Sequence, residues 1–68
     1  MLAFMSASSA ELSSMAAALE ELGQRIDQLA EQYRGDRRED LAGELYEAER
    51  AVSSAVRRLG RVAGSAGA

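Results

Sequence analysis

The sequence predicts an all-α fold: an antiparallel two-helix hairpin of coiled-coil type, expected to dimerise into a four-helix bundle. Three observations carry this expectation. Large apolar residues recur at alternating steps of three and four along two stretches of chain, which is the spacing of a heptad stripe. One short break, Gly35-Asp36, separates the stretches. The two stripes are also mirror-complementary across that break.

The elements follow in order. Residues 1–7 read as a flexible apolar N-terminal segment, with Leu2, Phe4 and Met5 expected to fold over the open end of the bundle near Val62. Helix 1 is expected over about 9–34. Ser8 or Ser9 is a candidate cap, and Ser8-Ser9-Ala10-Glu11 has the spacing of a capping box. Its stripe is Leu12, Met15, Leu19, Leu22, Ile26, Leu29 and Tyr33, with heptad position a at 12, 19, 26 and 33 and d at 15, 22 and 29. At the turn, 35–36, Gly35 suits a left-handed residue just past a helix C-terminus. Asp36 can then cap helix 2, while Glu39 and Asp40 add negative charge to its positive end. Helix 2 is expected over about 37–62, with Leu41, Leu45, Ala48, Val52, Ala55, Leu59 and Val62 as its stripe. Here a falls at 45, 52 and 59, and d at 41, 48, 55 and 62. The remaining "AGSAGA", 63–68, reads as a flexible tail.

In an antiparallel hairpin, facing seam residues have numbers of constant sum. The pairs Tyr33–Leu41, Leu29–Leu45, Ile26–Ala48, Leu22–Val52, Leu19–Ala55, Met15–Leu59 and Leu12–Val62 all sum to 74. Sizes compensate too, since Ile26 and Leu19 face alanines, so the seam can fill without voids. The break is therefore read as the fold point of one hairpin. Beside this seam runs an edge of mostly small residues: Ala16, Gly23, Ala30, Ala42, Val56 and Ala63, with Glu49 set among them and Tyr46 alongside. A stripe wider than a and d packs on more than one neighbour, so this edge is expected to dock a second hairpin. Glu49, opposite Gly23, is a candidate register-setting polar residue there.

Composition narrows the function. The chain has 68 residues and apolar residues make up 47%, but many are alanine and the aromatics are Phe4, Tyr33 and Tyr46 alone. So thin a core points to a second copy or a partner. There is no cysteine or histidine, hence no disulfide and no zinc site of Cys/His type, and no metal or cofactor is expected. Glu44, Glu47 and Glu49 lack the histidines of a di-iron bundle site. With no His, Cys or Lys, acid–base or covalent catalysis has few agents, so an enzyme is not expected. No apolar run approaches a membrane span, and a cytoplasmic location is the expectation. Eight arginines and no lysine suggest a small bacterial protein from a GC-rich genome.

The net charge of −3 conceals a polarity: residues 50–68 carry Arg50, Arg57, Arg58 and Arg61 and no acid. Such a cluster could hold phosphate, although cations near a helix C-terminus also offset its dipole. An acidic chain without lysine or aromatic platforms argues against nucleic acid. The leading expectation is a protein–protein interaction module, an adaptor or regulator acting as a homodimer. The alternative is a regulator binding a phosphate-bearing ligand or nucleic acid through the arginines.

Tyr33-Arg34-Gly35 at the turn resembles the W-x-G turn of the WXG100 secreted helical hairpins, which implies a secreted, bundle-forming hairpin as a third alternative. Tyrosine stands where that family has tryptophan, and Arg50 stands where its tail signal, four residues after a tyrosine, has an acid. Glu49-x-x-x-Ser53 is similar to the start of the E-x3-S-x2-R motif of cyclic-di-GMP-binding anti-sigma hairpins, with Val56 at the arginine position.

Overall fold

In the computed structural model the chain is two α-helices, α1 (Leu2–Gly35) and α2 (Glu39–Gly67), folded back on each other as an all-α hairpin. The structure describes the backbone of residues 2–67 and the side chains of residues 9–65. The α1 helix has 34 residues, about 51 Å at ~1.5 Å per residue. That length accounts for the long dimension of a hairpin whose Cα atoms extend 54 × 14 × 9 Å.

Both helices outrun the sequence expectation. The first starts at Leu2 rather than near Ser9, so Ser8 and Ser9 are interior helical positions and not caps. Its first residues, Leu-Ala-Phe-Met-Ser-Ala, contain neither glycine nor proline to stop the helix running back. The side chains of Leu2, Phe4 and Met5, and with them the expected contact near Val62, lie outside the described residues. Helix α2 continues through 63–67 instead of ending at 62, and Ala68 also lies outside the described residues.

The turn differs in a more informative way. Gly35 is the last residue of α1 and has no positive φ; the left-handed residue is Arg37, at φ 63°. The Arg38 N–H donates to the Tyr33 carbonyl at 2.8 Å and the Arg37 N–H to that of Arg34 at 3.1 Å. These are the paired bonds of a Schellman motif, with arginine where glycine is usual. Asp36 is consequently the C-cap of α1 and not the N-cap of α2. Arg38 takes the latter role, since its carbonyl accepts the Ala42 N–H at 3.0 Å.

The helices also meet along a different line from the heptad seam. The most deeply buried side chains are Ala30 (0% exposed) and Ala42 (2%), and Gly23 is buried with them. All three belong to the small-residue edge expected to face a second copy. A Cβ built on Gly23 would stand 3.5 Å from Cγ1 of Val52, so the helices approach closely at this level. Ala16, Glu49, Val56 and Ala63, the other residues of this edge, are half-buried, as is Tyr46 alongside it. The a residues Leu12, Leu19, Ile26, Tyr33, Leu45, Val52 and Leu59 are half-buried as well, as are Leu41 and Ala55 at d. The rest of the d row is exposed: Met15, Leu22, Leu29, Ala48 and Val62. The seam has thus turned from a/d toward a/e, because small residues let the backbones approach more closely than a leucine row would.

Two predictions test this account. A Cβ on Gly35 would meet nothing within 4 Å, so Gly35→Ala should stabilise the hairpin by about 0.5–1 kcal/mol, and Arg37→Gly by about 1 kcal/mol by relieving the left-handed residue. Urea midpoints would register both. Ala30→Leu should cost about 1–3 kcal/mol by overpacking; an unchanged midpoint would place the seam elsewhere.

Candidate functional site

Two broad faces of the hairpin are available to partners. Helical wheels run in opposite senses along antiparallel helices, so the d rows of α1 and α2 emerge on one face and positions b and f on the other. The d face is apolar. Met15 (49% exposed), Leu22 (43%), Leu29 (42%) and Val62 (51%) all lie on it, with Ala48 between. A shallow groove there is lined by Leu22, Arg25, Ile26, Gln28, Leu29 and Gln32. Exposed charges border it. Along α2, Asp40, Glu44 and Glu47 line the half near the turn, and Arg58 and Arg61 the far half; along α1 stand Glu21 and Arg25.

The opposite face is polar. The Tyr46 hydroxyl donates to Oε2 of Glu31 at 2.5 Å, joining the two helices across it. That bond to a carboxylate raises the Tyr46 phenol above its ordinary value, and desolvation adds to the effect. Glu20, Gly23, Gln24, Glu49, Val52 and Arg57 line a second groove on this side. Glu49, expected to set register between copies, is half-buried here, within one molecule.

At the turn, the Arg38 guanidinium grips Asp40 with Nε and Nη2 at 3.3 Å from the two carboxylate oxygens. Asp40 is held below its usual range, chiefly by Arg38 and then by the Leu41 N–H, and Arg38 is raised in turn. The pair fastens the start of α2.

The remaining candidates are dispersed. Arg50 pairs with Glu47 at 3.5 Å, an exposed contact of small energetic weight. The Arg57 Nη2 donates to the Ser54 hydroxyl at 3.5 Å. Arg50 and Arg57 occupy f positions, whereas Arg58 and Arg61 border the apolar face, so the four do not converge on one point. Among the described residues no group of three or more acidic, histidine or cysteine side chains could hold a metal ion. Among them, too, no helix is long and apolar enough to cross a membrane.

No protein-family model, curated protein or solved structure matches the chain. The surfaces therefore carry the functional argument by themselves. The d face was missed in the sequence because a leucine row at heptad spacing reads as internal seam. The signal that could have found it was the unbroken run of small residues at e, which competes for the same contact.

Because the folded Tyr46 pKa is raised, its stabilising contribution is complete below the unfolded value, near 10.0, and is lost as pH rises through the folded value. In Tyr33→Phe protein, the remaining phenol should ionise later than a free tyrosine, and Glu31→Gln should remove most of the delay. Tyrosinate absorbance against pH reads both; a free-tyrosine curve in the parent would refute the bond.

Proposed function

We propose that this chain is a small, non-enzymatic protein–protein interaction module, an adaptor or regulator that works as a helical-hairpin homodimer. The observation that carries this reading is the open d face: Met15, Leu22, Leu29 and Val62 are each at least two-fifths exposed along one side of a hairpin that, among the described residues, fully buries only small side chains. A contiguous apolar face of this kind on a small domain marks an interaction surface. Helices from a partner would complete a four-helix bundle over it, converting half-buried seam residues into a core. The polar face, with Tyr46, Glu31 and Glu49, would then remain outward for further partners.

Leu22→Glu or Leu29→Glu should shift the protein to monomer while leaving its helix content largely intact, because the small-residue seam lies elsewhere. Gln24→Glu, on the polar face, should leave the mass unchanged. Sedimentation with circular dichroism checks all three. A wild-type chain that stays monomeric up to high micromolar concentration would remove the homodimer reading.

A further inference from the structure

We infer that the two copies lie end for end, d face against d face, about a two-fold axis that passes Leu22 of α1 and Val52 of α2. The inference rests on the homodimer reading above and specifies its geometry. Its first support is the d row of α1. Met15, Leu22 and Leu29 are evenly spaced, so reversing a second copy about Leu22 sets Met15 over the second copy's Leu29 and Leu22 over itself. On α2 the reversal centre falls between Ala51 and Val52, which sets Leu41 over the second copy's Val62 and Ala48 over its Ala55.

These centres are found independently on each helix, and a single axis can serve both only if they lie at the same height. They do. Gly23, next to Leu22, is packed against Val52, with the built Cβ only 3.5 Å from Cγ1.

The bordering charges agree with the same operation. In this arrangement Glu44 meets the second copy's Arg61, Glu47 meets its Arg58, and Glu21 meets its Arg25; symmetry repeats each pair. All six side chains are exposed in the single hairpin and free to reorient, the Glu47 contact with Arg50 being a weak surface pair. The other two-fold arrangement, with both turns at one end, lays α2 over the second copy's α1. Glu44 then faces Gln28 and Gln32 and Arg58 faces Ala18, leaving Glu47 beside Arg25 and Arg61 beside Glu11 as its opposite-charge pairs. With three kinds of such pair against two, charge favours the reversed copy, acting on orientation more than on affinity.

The chain has no cysteine, so single thiols report the geometry directly. Under mild oxidation Leu22→Cys should form a covalent dimer, since the residue faces itself across the axis, and Gln24→Cys should not. Met15→Cys combined with Leu29→Cys should also cross-link between copies; within one helix the two thiols are about 21 Å apart at ~1.5 Å per residue. Circular dichroism establishes that each variant is folded. Glu44→Arg alone should weaken the dimer roughly tenfold at low salt, and adding Arg61→Glu should restore it. A wild-type chain that dimerises, with cysteine variants that do not cross-link and a charge pair that shows no rescue, would overturn the end-for-end geometry and leave the interaction-module reading standing. A wild-type monomer would overturn both.

Discussion

The structure depends on how closely two backbones can approach. Gly23, Ala30 and Ala42 present almost no side chain, so α1 and α2 meet along the line these residues define. Leucines cannot occupy that line without forcing the helices apart. The larger residues are displaced to its flank, where Met15, Leu22, Leu29 and Val62 face solvent. A hairpin with Cα extents of 14 × 9 Å in cross-section has no second layer to cover them. The same choice that makes the intrachain contact tight thus leaves an apolar face in need of a partner, and fold and proposed function share one cause.

Much of this was readable beforehand. Two heptad stripes and one break are sufficient to place a hairpin bend near Asp36, and the helices pack there as an antiparallel pair. The rotation of the seam was not readable from the stripe alone. Periodicity identifies which residues are apolar and in line; it does not say whether positions d or e will face the sister helix, because that depends on side-chain volume at the contact. Gly35 misled for a related reason. Glycine is permitted in the left-handed region but not obliged to enter it, and here the hydrogen bonds of Arg37 and Arg38 put an arginine there instead. Ser8 and Ser9 could have capped a helix, but nothing before them interrupts one.

Charge along α2 serves two purposes. Glu39 and Asp40 stand at its positive end, where the Arg38–Asp40 fork secures the first turn. The arginines gather in its far half, with none in the last turn before Gly67. A helix charged in this order also has a direction that a neighbour can sense, which is the basis of the proposed end-for-end pairing.

The brevity of the turn has a kinetic consequence. Three residues join the helices, so contacts can form outward from the bend with little loop-closure entropy at each step. The chain contains no proline to isomerise and no cysteine to reshuffle. Each hairpin can therefore form, open and re-form rapidly, and in the proposed homodimer the encounter of two chains becomes the slow, concentration-governed event. In a cell, the abundance of this small protein would then set how much of it is complete at any moment.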